Sequence, residues 1–151
     1  MAEREKFSNF LRPSVLTAVP IAQPCSHARP GGRVGGVSIE GVDTSVKPSG
    51  TGCVECLAGG GWWFHLRRCA QCGHIGCCDT SPGQHATAHW RESGHPLMTS
   101  FEPAEDWFWD FRDDQAYDGP VLADPQCHPS DQPTPGPAGG VPDDWMSHLH
   151  R

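Results

Sequence analysis

Residues 53–95 read CVECLAGGGWWFHLRRCAQCGHIGCCDTSPGQHATAHWRESGH, and the spacing of their cysteines and histidines decides the fold. Cys53 and Cys56 make one C-x-x-C pair, and Cys69 and Cys72 make a second. Two residues between the cysteines let both thiolates of one tight turn reach a single tetrahedral ion. Cys77 and Cys78 follow, then His85, His89 and His95. Ser81 has the chemistry of a helix N-cap, Pro82 of a first helical position and Gln84 of a capping-box partner. The sequence therefore predicts a helix from about residue 82 to residue 93, ended by Gly94 in a left-handed turn. On that helix His85 and His89 stand four residues apart and share a face. His95, just past the turn, can fold back toward them.

Counting the donors sets the stoichiometry. Four paired cysteines, one of Cys77 or Cys78, and three histidines make eight ligands, enough for two closed four-coordinate zinc sites. Closed sites are structural, whereas a catalytic zinc keeps a position open for water or substrate. The helical pair reads His85-Ala-Thr-Ala-His89, without the Glu that a zinc peptidase places after its first His. The deaminase pattern of a Glu two residues after a ligand His is missing as well. The expectation is a zinc-binding module that is not an enzyme, with Cys77 and Cys78 left as alternatives for one ligand.

Outward from this segment the chain changes character. Residues 28–52 are rich in Gly, Ser and Pro without a period, as are residues 125–142, and both read as linker. The expected organisation is an N-terminal arm over 1–50, a zinc finger over 51–118 and a disordered acidic Pro/Gly-rich tail over 119–151. Within the finger, residues 62–68 and 73–78 read as strands, with further strands at 95–101 and 107–111. The expected fold class is α+β, a small zinc-stabilised domain with one helix beside a few short antiparallel strands, flanked by flexible arms.

With 151 residues, 18 Gly and 15 Pro, the ordered unit is smaller than the chain, and a core of that size needs a staple. Eight Cys and nine His offer either disulfides or a metal. The apolar stretch at residues 15–22 is broken by Pro20, with no small-residue cleavage site after it, so it does not read as a secretory signal. No stretch approaches the roughly 18 apolar residues of a membrane helix. A cytoplasmic location is then the default, and there paired cysteines point to metal. The net charge of −7 belongs to the tail, since residues 102–151 carry eleven acidic and two basic groups. No basic face is available to replace phosphate counterions, so nucleic acid is not an expected partner. The sequence leaves the oligomeric state open.

The pairs at 53/56 and 69/72, Cys77, His85, His89 and the Gly94-His95-Pro96-Leu97 step together resemble the ubiquitin-protease-type zinc finger, also called the zinc-finger ubiquitin-binding domain. The resemblance covers about residues 53–111 and looks like a short stand-alone member of that family. It implies one zinc on Cys53, Cys56, Cys77 and His85, with Cys78 able to replace Cys77 because the gap from Cys77 to His85 is one residue longer than in the family pattern. It implies a second zinc on Cys69, Cys72, His89 and His95. Cys25-Ser-His27 is similar to the upstream half of a further site in some members. Asp110 and Asp113 stand where the downstream cysteines would be.

Members that bind ubiquitin hold its C-terminal tail between aromatic walls with an arginine on the carboxylate. Here the walls implied are Trp107, Trp109 and Tyr117 with Trp63, and Asp79 occupies the arginine's place. A carboxylate there repels a tail carboxylate that a guanidinium would bind. The expected activity is capture of a protein or peptide C-terminal tail, with ubiquitin itself disfavoured by Asp79. The alternative is a thiol-based redox sensor in which Cys77 and Cys78 oxidise and release zinc.

Overall fold

The computed structural model describes residues 39–150. Along them run α1 (Val54–Gly59), β1 (Leu66–Cys69), β2 (Ile75–Cys77), α2 (His85–Ser93), β3 (Leu97–Ser100), β4 (Trp107–Asp110), β5 (Gln115–Asp118) and a 3-10 turn (Trp145–His148). The strands form one sheet in the order β2-β1-β3-β4-β5, with every neighbouring pair antiparallel. The α+β class expected from the sequence is the class observed. Among the described residues no helix is long and apolar enough to cross a membrane.

Local chemistry accounts for the shifts in element boundaries. α2 starts at His85 and not at Pro82, because the Ser81 hydroxyl, fully buried, accepts the Phe64 N–H at 2.8 Å instead of capping the helix. Gln84 takes the N-cap position in a left-handed conformation, with φ of 48° and no side-chain cap. Gly94 ends the helix as expected, at φ 74°, its N–H bonded to the Trp90 carbonyl. The first strand begins at Leu66 and not at Trp62, since Trp63 pairs instead with Gly136 in an isolated bridge. α1, which the sequence reading did not foresee, is the turn that carries the first C-x-x-C pair, and Gly60 closes it.

The two faces of the sheet are covered by different things. Directly paired residues on antiparallel strands point to the same side. Gly76 of β2 pairs with Arg67 of β1, and a side chain on Gly76 would put its Cβ 2.7 Å from the Ala86 amide nitrogen. The missing side chain lets α2 lie flush on that face. The other face carries Arg68, Thr99, Phe108 and Tyr117 in register across β1, β3, β4 and β5.

That second face is covered by the segments expected to be flexible. Ile39 and Val42 pack on a core of Ala70, Leu97, Phe108 and Leu122. The guanidinium of Arg68, 1% exposed, donates to the carbonyls of Val46 at 2.6 Å, Ala123 at 2.9 Å and Pro125 at 3.2 Å. A buried cation needs such partners, and residues 46 and 123–125 are held by supplying them. Farther along, Trp63 and Gly136 exchange two backbone hydrogen bonds of 2.7 and 3.0 Å. The expected disordered tail is therefore corrected over 119–150. Its Pro and Gly content denies it helix and strand, but not contact with the sheet.

One buried pair ties this tail to the domain. His128 Nε2 lies 2.9 Å from Glu102 Oε2, and Glu102 Oε1 accepts the Leu66 N–H at 2.7 Å. Burial by itself would raise the Glu102 pKa, but the hydrogen bonds from His128 and Leu66 outweigh it and hold it low. Burial would likewise lower His128, but its bonds with Glu102 and the Pro129 carbonyl outweigh that and raise it. The raised histidine contributes stability fully below its unfolded pKa of 6.5 and loses it as pH rises through the folded value. Replacing His128 by Gln leaves a buried carboxylate without its charged partner and should cost on the order of 3–5 kcal/mol. The gap in urea midpoint between wild type and this variant should be constant from pH 5 to 6.5 and narrow above it. A gap that stays flat to pH 8 would contradict the assignment.

Candidate metal centre

Eight side chains gather into two groups. Cys53 at the entry to α1, Cys56 on α1, Cys77 at the end of β2 and His85 at the start of α2 form the first, and their donor atoms all lie within 4.8 Å of one another. Cys69 at the end of β1, Cys72 in the following turn, His89 one turn along α2 and His95 beyond Gly94 form the second. The first and third ligand pairs along the chain share one site, and the second and fourth share the other. This interleaving clamps α1, β1, β2 and α2 together.

The distances fit tetrahedral zinc. Zinc–sulfur and zinc–nitrogen bonds of about 2.3 and 2.0–2.1 Å imply S···N edges of about 3.6 Å and S···S edges of about 3.8 Å. In the first group His85 Nδ1 lies 3.2, 3.4 and 3.3 Å from the sulfurs of Cys53, Cys56 and Cys77, and the Cys56 and Cys77 sulfurs are 4.0 Å apart. In the second, Cys69 Sγ is 3.7 Å from His95 Nδ1 and Cys72 Sγ is 3.3 Å from His89 Nε2.

The electrostatics call for a cation. Hydrogen bonding with Cys56 and Cys77, and then burial, push the Cys53 thiol far up. The same contacts from Cys53 and Cys56 pull Cys77 down to about 2. Three thiols this close oppose one another's ionisation, and a cation among them would relieve that opposition. In the second group burial pushes the Cys69 thiol up to about 11. Burial, with His74 and His95 nearby, lowers His89 to about 4, which keeps its imidazole in the neutral form that binds metal. Sulfur-rich tetrahedral donor sets of this kind favour zinc over harder cations. A bound zinc would supply the positive charge and fix the ligand geometry, with both sets closed and no position left for substrate.

Cys78 belongs to neither group. Its neighbour Cys77 points into the metal site, and alternation along the strand sends Cys78 to the opposite face. There its sulfur lies 3.3 Å from the Ser81 hydroxyl and its N–H donates to the His65 carbonyl. This settles in favour of Cys77 the choice that sequence spacing left open. Cys25 and His27, the expected start of a third site, lie outside the described residues. Asp110, the expected stand-in ligand for that site, has both carboxylate oxygens on Arg112, at 2.7 to 3.2 Å.

The expected aromatic groove is found in part. A cavity of about 210 Å³ on the helix-bearing face is lined by Arg67, Asp79, Trp107, Trp109 and Phe111, with Cys78 beside them. Trp107 and Trp109 are therefore where the sequence reading put them. Trp63 is not: it is 2% exposed and packs in the core with Leu66, Ile75 and Phe101. Tyr117 is not either, because it pairs with Phe108 across β4 and β5, and so faces the opposite side. Phe111 was missed, although Trp107, Trp109 and Phe111 stand at the period of two that puts residues on one face of a strand. Arg67 completes the groove, its guanidinium carbon 4.6 Å from the Trp107 ring centroid.

A small α+β unit cross-braced by two closed Cys/His tetrads is a zinc finger. Residues 53–122 match the family described as "Zn-finger in ubiquitin-hydrolases and other protein". This segment of the chain belongs to that family, and the finger binds zinc at its two Cys/His sites. The chain is also similar to a protein of Rhodopseudomonas palustris with a solution NMR structure, at 45% sequence identity over 60% of this chain and 85% of that one, with a TM-score of 0.49. No curated protein matches the chain significantly.

Proposed function

We propose that this zinc finger is a non-enzymatic binding module that captures an extended peptide or protein tail in the groove of Arg67, Trp107, Trp109 and Phe111. The observation that carries the reading is Arg67 on the groove floor, stacked over Trp107. Asp79 occupies the position where the family pattern expects an arginine, yet β1 brings a guanidinium into the same groove from another element. One of its nitrogens, Nη1, donates to the Leu66 carbonyl at 2.8 Å, and the planar fork is held by the indole. A fixed guanidinium between aromatic walls suits a terminal carboxylate followed by small residues. Asp79 is itself restrained, its Oδ1 accepting the Thr87 hydroxyl at 2.5 Å. The two opposite charges make the groove selective: a tail must put its carboxylate on Arg67 and avoid Asp79.

The test is fluorescence anisotropy with a labelled peptide ending in Gly-Gly, as the free acid and as the C-terminal amide. The free acid should bind more tightly, and Arg67→Ala should weaken it roughly 10- to 100-fold, the worth of a charge-assisted hydrogen bond of about 1.5–3 kcal/mol. Trp109→Ala should weaken the acid and the amide alike. Equal binding of acid and amide to wild type, or full binding by both variants, would remove the groove as a tail site.

A further inference from the structure

The two metal sites are joined by a side-chain link that neither ligand set contains. Glu55 lies on α1 between the two cysteines of the first C-x-x-C pair, and its Oε2 is 3.5 Å from the Cys53 sulfur. Its other oxygen, Oε1, is 2.7 Å from His74 Nε2. The His74 ring in turn lies flat on the ring of His89, a ligand of the second site, with centroids 4.2 Å apart and planes 3° from parallel. The His74 carbonyl also accepts the N–H of Cys69, another ligand of that second site. Nδ1 of His74 is buried and has no hydrogen-bond partner among the described residues. The Glu55 carboxylate is thus the hydrogen-bonding group that fixes how this ring is turned.

We propose that Glu55 and His74 couple zinc occupancy at the two sites, so that loading the first site organises the second. α1 has six residues, too few to hold a helix in water without an anchor. The anchor is the first zinc, through Cys53 and Cys56. With that site loaded, Glu55 is placed to hold His74, and His74 buttresses the imidazole of His89 in the orientation that meets Cys72. With it empty, α1 and Glu55 lose their position and the His74 ring is no longer oriented. Groups that orient a metal ligand from behind typically change metal affinity 10- to 100-fold when removed. Glu55 and His74 are positioning residues in this sense, acting on zinc through Cys53 and His89.

The experiment is stepwise removal of zinc from the full chain with a chelator at neutral pH, followed by native mass spectrometry of the two-, one- and zero-zinc species. Wild type should pass from two zincs to none with the one-zinc species a minor fraction. Glu55→Ala breaks the link at its start. His74→Phe keeps a ring on His89 but cannot donate to Glu55. Both should make the one-zinc species the major one, with the weaker zinc released at 10- to 100-fold lower chelator concentration.

The double variant should be no worse than either single one, because both break the same link. Glu55→Gln, which keeps an oxygen for Nε2, should behave as wild type. The coupling is overturned if the one-zinc species is equally populated in wild type and variants, if the two single effects add in the double variant, or if Glu55→Gln behaves as Glu55→Ala. Loss of folding in His74→Phe leaves the comparison of Ala and Gln at position 55 to decide.

Discussion

Stripping zinc from this protein with a chelator at neutral pH should unfold the finger, seen as loss of far-ultraviolet circular dichroism together with a change in tryptophan emission. The core around Leu66, Ile75, Trp63 and Phe101 contains three of the ligands themselves, Cys53, Cys56 and Cys77. Without metal those three buried sulfurs crowd together with no cation between them, and the apolar side chains left beside them are too few to hold the sheet. Structural zinc in small fingers carries an apparent binding free energy of about 10–16 kcal/mol, which is folding free energy when the apo chain is unfolded. That exceeds or matches the whole net stability of an ordinary small domain, about 5–15 kcal/mol. Returning zinc under reducing conditions should restore the signal. A spectrum unchanged after metal analysis has shown the zinc to be gone would mean that the segments packed on the second face suffice to hold the sheet.

The second large effect separates two adjacent cysteines. Cys77→Ser should bind at most one zinc per chain in place of two, because it removes a soft ligand from a tetrad with no spare donor and leaves the second site without the organising effect of the first. Cys78→Ser should keep both zincs and the fold, since its sulfur lies against Ser81 and His65 and belongs to neither metal group. Inductively coupled plasma mass spectrometry of the purified proteins reads this directly. The same pair addresses the redox reading: a sensor that used Cys78 would lose its oxidant-triggered zinc release in Cys78→Ser, whereas a binding module would show no difference. A wild-type count near three would add a site involving Cys25 and His27.

Much of the metal centre was legible before any tertiary contact was considered, because its information is local. A C-x-x-C turn presents two sulfurs to one ion whatever surrounds it, and His85 and His89 share a helix face by the 3.6-residue period alone. The choice between Cys77 and Cys78 was not legible in the same way. Both are cysteines one step apart, and only the direction in which β2 faces decides which sulfur meets Cys53 and Cys56. The start of α2 was misplaced because Ser81, an apt N-cap by type, is held instead by the Phe64 N–H from a distant part of the chain. Trp63 and Tyr117 were assigned to a groove through the family resemblance, while their faces are set by the Gly136 bridge and by the register with Phe108.

The sequence by itself determined that this chain binds zinc and how many ions its paired donors can close around. Those properties follow from donor type and short-range spacing, which are written in consecutive residues. The tertiary structure decided the rest. It put Arg67 on the groove floor and Arg68 beneath the sheet, linked the two metal sites through Glu55 and His74, and laid residues 39–46 and 122–125 over the second face. Each of these depends on which side of a strand a residue faces and on what distant segment packs there. A shift of one residue in register would exchange Arg67 for Arg68 with no change in composition or motif.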